Sequence, residues 1–179
     1  MISGRFAALI VLGAFASGCA SDTITKDWYR MTTPVEAPDF SLQQLDGGTV
    51  TLSELRGQIV IVEFWATWCG PCRFSLPSLE VIAKRYRDRG VTVLMINQGE
   101  SAEAVRAWAG KRFTTPILLD PGTEVGQHYG VSSVPRLFII DREGRFLYAH
   151  QGYGGGLERN LTLILDGLLA EPTGAPHNV

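Results

Sequence analysis

Apolar positions along the chain alternate between two periods, and the order in which they alternate predicts the architecture. Ile59–Trp65 (IVIVEFW) is a nearly continuous apolar run rich in β-branched residues, interrupted only by Glu63. Such runs form central strands covered on both faces. Residues 91–97 (VTVLMIN) read the same way, and Ile117–Asp120 reads as a short strand piece. Arg136–Ile140, a turn over 141–144 and residues 145–151 read as a hairpin. Between these runs the spacing becomes helical. Over residues 71–89, Leu76, Leu79, Ile82, Ala83 and Tyr86 mark one face and Gly90 closes it. Residues 101–112 are amphipathic through Ala104, Val105, Trp108 and Ala109, residues 124–129 form a short helix, and Leu157–Ala170 forms the last. Earlier, two short runs around Asp46-Gly47-Gly48 predict a hairpin, and 53–57 one helical turn ended by Gly57. Crossover units followed by a terminal hairpin imply an α/β fold. Its central mixed sheet is flanked by helices on both faces and carries an extra N-terminal β-hairpin.

The N-terminus has a different pattern. Arg5 precedes an uncharged, mostly apolar stretch over residues 6–16, too short to span a membrane and suited to a signal peptide. Ala16-Ser17-Gly18-Cys19 then resembles the lipobox of bacterial lipoproteins, with Ala16 where that motif prefers Leu. The resemblance implies cleavage before Cys19, lipidation of Cys19 and attachment to a membrane. Ala20 rather than Asp after the cysteine points, on the same resemblance, to the outer membrane. The expected organisation is therefore a signal peptide at 1–18, a lipidated cysteine and polar tether at 19–35, one domain at 36–171 and a disordered tail at 172–179. The 179 residues hold 45% apolar and 19% charged positions at a net charge of -2, which suits one folded domain and offers no basic surface for nucleic acid. Cysteine arithmetic agrees, since of three cysteines Cys19 is assigned to lipid and Cys69 and Cys72 remain as a pair.

Chemistry concentrates in Trp68-Cys69-Gly70-Pro71-Cys72, between a predicted strand and a predicted helix. Cys69 falls at or just before the helix N-terminus, where unpaired N–H groups and the macrodipole favour its thiolate. Pro71 suits the first turn, where its missing N–H costs nothing. Cys72 lies one turn on and can close a disulfide with Cys69, so that Cys69 attacks as the exposed nucleophile and Cys72 resolves. A zinc site would need further ligands at diagnostic spacing, and the sequence supplies no second Cys/His pair. A purely structural disulfide would span almost no chain and stabilise little. No metal and no cofactor beyond this redox pair are expected.

The stretch from Val62 to Cys72 (VEFWATWCGPC) resembles the active-site segment of thioredoxin-like thiol–disulfide oxidoreductases, most closely the membrane-tethered TlpA/ResA type. Three distant positions extend the resemblance. Val134-Pro135 stands where that fold sets a cis-proline loop against the cysteines. Asn97-Gln98-Gly99-Glu100-Ser101 is similar to a Gly-Glu-Ser segment of the ResA type, and Pro77 matches a helix-kinking proline. The resemblance implies a thioredoxin-like fold, and with it catalytic roles for Cys69, Cys72, Glu63 and Pro135. Trp68, Gly70, Pro71 and Val134 would contact substrate, with Glu100 as a second acid or simply an acid near a helix start. Glu63 replaces the usual Asp and reaches one methylene further; buried in an apolar strand, it could exchange the proton of Cys72. Trp68 is expected as a partly exposed lid, Trp28, Tyr29 and Trp108 as packing residues, and His128 and His150 as surface or satisfied histidines.

The leading expectation is thus an exported protein-disulfide reductase on the periplasmic face of a bacterial membrane. It would act on protein or apocytochrome thiols and disulfides, supplied by a membrane electron donor. Two other classes stand beside it. A thiol peroxidase shares the Ala37-Pro38-Asp39-Phe40 entrance but would want Thr where Ala66 stands, and a copper-binding redox chaperone would want His128 or His150 beside the cysteines.

Overall fold

The computed structural model describes residues 28–170. Eight strands form one mixed sheet: β1 (Trp28–Arg30), β2 (Ser41–Gln44), β3 (Thr49–Thr51), β4 (Ile59–Trp65), β5 (Val91–Gln98), β6 (Ile117–Asp120), β7 (Arg136–Ile140) and β8 (Phe146–Gln151). Four helices accompany them, α1 (Cys72–Tyr86), α2 (Ala102–Ala109), α3 (Glu124–His128) and α4 (Leu157–Ala170). The strand order is β1-β8-β7-β4-β5-β6-β2-β3, with β4, β5 and β6 parallel and the remaining pairs antiparallel.

Every residue of β4 is buried, because β5 and β7 flank it and packed layers cover both its faces. Side chains alternate between those layers. One holds Ile59, Ile61 and Trp65 of β4 with Cys69, Cys72, Leu76 and Leu79, Val105 and Ala109 of α2, and Leu161 and Leu165 of α4. The other holds Val60, Val62 and Phe64 with Phe40, Leu52 and Tyr129, so α3, the 3-10 turn Leu52–Leu55 and the 31–40 segment cover that face. Gly90 ends the α1 region in the left-handed conformation (φ 77°), which returns the chain directly into β5.

The N-terminal boundary differs from the expected one. The polar tether was to run to Val35, yet Trp28–Arg30 is a strand paired with β8, and Glu36 bridges to Arg145. The cause is Trp28, 8% exposed, whose ring packs on His150 at 4.7 Å and on Tyr148 at 6.4 Å. One buried indole draws an otherwise polar stretch onto the sheet edge. The signal peptide, Cys19 and the tail at 172–179 lie outside the described residues.

Candidate active site

The loop 66–71 joins the end of β4 to α1 and presents both cysteines. The Cys69 N–H donates to the Ala66 carbonyl, and the N–H groups of Arg73 and Phe74 donate to Gly70 and Pro71, so the first turn is wound before Cys72. Cys69 and Cys72 form a disulfide with Cα atoms 5.3 Å apart. The Cys72 N–H also donates to Cys69 Sγ at 3.2 Å. That donor, at the positive end of the helix, stabilises a Cys69 thiolate once the bond opens.

Cys69, expected as an exposed nucleophile, is only 3% exposed, while Cys72 is fully buried. Bonded to the fully buried Cys72, Cys69 lies in the apolar cluster that also holds Leu76 and Leu137. The exposed groups beside it are Trp68 (72%), Phe74 (64%) and Tyr153 (40%), the last two stacked with centroids 5.8 Å apart. Gly70 and Pro71 are exposed as well, and Val134 is half-buried. The Val134–Pro135 peptide is cis and opens β7, with Pro135 buried.

Glu63 is 1% exposed, in register between Leu137 of β7 and Met95 of β5, on the cysteine-bearing face. Its Oε1 accepts from the Ser75 hydroxyl at 2.5 Å, and burial pushes its pKa up to about 8 against the weaker pull of that hydrogen bond. The carboxyl is therefore neutral in acid and gives up its proton just above neutrality.

Glu100 behaves differently. Burial would raise its pKa, but hydrogen bonds from the Thr67 hydroxyl, from Asn97 Nδ2 at 2.8 Å and from the Thr67 N–H at 2.7 Å outweigh it and hold the group below the usual carboxylate range. Nor does it cap α2, since Ser101 Oγ does so by accepting from the Ala104 N–H. As a carboxylate it ties the loop before Cys69 to the end of β5.

Among the described residues no cluster of three or more His, Cys, Asp or Glu is arranged to hold a metal. His128 is exposed on α3, whose Val125 and the following Tyr129 pack on the face opposite the cysteines. His150 is buried against Trp28, two strands from Glu63. These two histidines, the ones among the described residues, therefore do not converge on Cys69 and Cys72.

Residues 33–162 match the model of the family described as Redoxin. The chain belongs to the redoxin family. Thiol-disulfide oxidoreductase ResA of Bacillus thuringiensis is 30% identical to this redoxin over 146 residues, which is 80% of the chain and 83% of the relative. Among solved structures, one assigned as thiol:disulfide interchange protein DsbE of Chlorobium tepidum superposes with a TM-score of 0.73 at 30% identity, covering 78% of this chain and 99% of that one. The pneumococcal exposed lipoprotein thioredoxin of Streptococcus pneumoniae superposes with a TM-score of 0.64 at 34% identity, over 73% and 100%. This redoxin is a thioredoxin-like protein of the TlpA/ResA type and a protein-disulfide oxidoreductase.

Sequence reasoning missed two residues of the site. Ser75 falls one turn beyond Cys72 on the apolar side of α1, and a hydroxyl on that stripe was the available signal. Thr67, the partner of Glu100 across 33 positions, left no local signal.

Proposed function

We propose that this redoxin is an extracytoplasmic, membrane-tethered reductase of protein disulfides, with apocytochrome cysteines among its substrates and a membrane thiol donor renewing it. The observation that carries the catalytic part is the buried Glu63 on the face of the sheet that packs against Cys72. When the donor thiolate opens the Cys69–Cys72 bond, Cys72 leaves with two electrons and takes the proton of Glu63. That attack leaves Cys69 joined to the donor in a mixed disulfide. The donor's second thiol, as a thiolate, attacks the donor sulfur of that bond, closes the donor's own disulfide and releases Cys69 as a thiolate at the helix N-terminus. Cys69 then attacks a substrate disulfide and forms a mixed disulfide with one substrate sulfur while the other leaves. Glu63 accepts the Cys72 proton, Cys72 attacks Cys69 Sγ, and the substrate departs reduced. A carboxyl that titrates near neutrality suits this two-way traffic.

The other assignments follow from position. Trp68, Gly70, Pro71, Val134 and Pro135 contact the substrate around the scissile sulfurs. Glu100 is a positioning residue, holding Thr67 and with it the loop that carries Cys69. The uncharged Gly70-Pro71 dipeptide matches that of thioredoxin, a reductant at about -270 mV. The lipobox resemblance at Cys19 supports the tether, and the exposed lipoprotein among the structural relatives is consistent with it.

The deciding measurement is the equilibrium reduction potential of the Cys69–Cys72 pair in the purified chain. A value near about -270 mV is expected, and one near about -120 mV would overturn the reducing direction. Cys72→Ser is expected to accumulate a mixed disulfide through Cys69. Mass analysis of the membrane-extracted protein is expected to find acyl chains on Cys19 and none in Cys19→Ala.

A further inference from the structure

Ser75 is fully buried, and its hydroxyl has one hydrogen for two acceptors. Glu63 Oε1 lies 2.5 Å from Oγ, and the carbonyl of Cys72, one turn back, lies 3.3 Å from it. Both cannot be served at once. When Glu63 is neutral, its own O–H points at Ser75 Oγ and uses it as an acceptor, so the serine hydrogen turns to the Cys72 carbonyl. When Glu63 is ionised it can only accept, and the serine hydrogen must swing to it.

We propose that the Ser75 hydroxyl is a two-position rotor that couples the charge of Glu63 to the backbone of Cys72, and that Ser75 thereby positions the acid that serves the resolving thiol. No electron moves in this step, and the one proton on Oγ stays with it while its hydrogen bond changes partner. Ser75 is the hydroxyl donor to Glu63 among the described residues, so the ionised form of the acid depends on it.

The surroundings leave few competing groups. The flanking strands present Met95 and Leu137, and across Leu137 lies His150 of β8. Of the titratable groups on the buried side of α1, Cys72 adjoins Ser75, Glu80 is turned to Thr114 and Thr115, and the Tyr86 hydroxyl to Asp166. The buried residues of α2 are Val105 and Ala109, and those of α4 are Leu157, Asn160, Leu161, Ile164, Leu165 and Leu168, none titratable. Acting through Glu63, Ser75 sets the pH at which that acid changes charge.

For its kinetic consequence the assignment rests on the proposed role of Glu63, and the test separates the two. The Glu63 carboxyl is titrated by carbon-13 NMR in the oxidised full chain, where Cys69 and Cys72 do not titrate. Wild type is compared with Ser75→Ala, Ser75→Thr and Ser75→Val, the last two matching in shape and differing in the hydroxyl. Loss of the hydroxyl in Ala and Val is expected to raise the midpoint by about one unit, a tenfold change in proton affinity, and Thr to restore it. Equal midpoints for Thr and Val overturn the rotor even if the Ala variant fails to fold. The pH limb of mixed-disulfide resolution is expected to move with the midpoint. A midpoint that moves while that limb stays fixed upholds Ser75 as the residue controlling Glu63 and overturns Glu63 as the proton partner of Cys72.

Discussion

The first turn of α1 and its third turn each meet a buried glutamate, and the two acids end at opposite protonation states. Glu63 is 1% exposed and Glu80 7%. Burial raises both, yet Glu63 goes up to about 8 while Glu80 comes down to about 2. The difference is the number of donors. Glu63 has the Ser75 hydroxyl, whereas Glu80 receives the hydroxyl and N–H of both Thr114 and Thr115 at 2.5–3.0 Å, with Lys84 Nζ at 3.1 Å. A buried carboxyl with one donor keeps its proton up to near neutrality, where it can trade it. With four donors it becomes a permanent anion that fastens a loop.

The largest effect that would sharpen this contrast is on the pH dependence of stability. The native state keeps the Glu63 proton that the unfolded chain surrenders near 4.5. The stabilisation is therefore complete below about pH 4.5 and is lost as pH climbs through about 8, a span of up to roughly 4–5 kcal/mol. Urea unfolding of the oxidised protein across this window should show wild type losing stability relative to Glu63→Gln; parallel curves would break the comparison. The same variant should slow mixed-disulfide resolution by roughly a hundredfold, the low end for a lost proton-transfer group.

Next comes Glu80→Ala, expected to cost about 2–4 kcal/mol at pH 7 by stranding the Thr114 and Thr115 donors. Its sign with pH is opposite. The contribution is present above about 4.5 and disappears as pH falls toward 2. Thiol–disulfide exchange at pH 7 should hardly change, and a loss matching that of Glu63→Gln would show that the two acids do not divide fastening from proton transfer.

Glu100, with three hydrogen bonds, tests the rule between these extremes. Glu100→Ala should cost about 1–2 kcal/mol and slow attack by Cys69 a few-fold without moving any pH limb near neutrality. A shifted limb would return it to proton transfer. Smallest in stability is Trp68→Ala, expected within about 0.5 kcal/mol of wild type because the side chain is exposed. It should raise KM for protein substrates several-fold and leave reduction by a small dithiol unchanged.

What the sequence disclosed and what it hid divide along the same line. Continuous apolar runs located β4 and β7, helical spacing located α4 to the residue, and Cys69-Gly70-Pro71-Cys72 located the chemistry. The burial of Glu63 followed from its apolar neighbours alone. The number of donors meeting each acid did not, because Thr114 lies 34 positions from Glu80 and Thr67 33 from Glu100, distances that no local period encodes. Strand β1 was hidden for another reason. Three residues with a single buried ring are too short to carry an alternating pattern.

That short strand also fixes the point at which the described fold begins. Trp28 begins β1 opposite His150, at the end of the sheet where Gln151 pairs with Arg136 and β4 runs out into the cysteine loop. Under the proposed lipidation of Cys19, eight residues (20–27) rather than sixteen would separate the anchor from the described fold, and eight residues span at most roughly 26–29 Å. The described chain enters the fold at the reactive end, so under the proposed tether the sulfurs would work within a shallow layer on the anchored side. Partners embedded in or pressed against that same membrane would then be met at high effective concentration, and those farther away would lie out of reach.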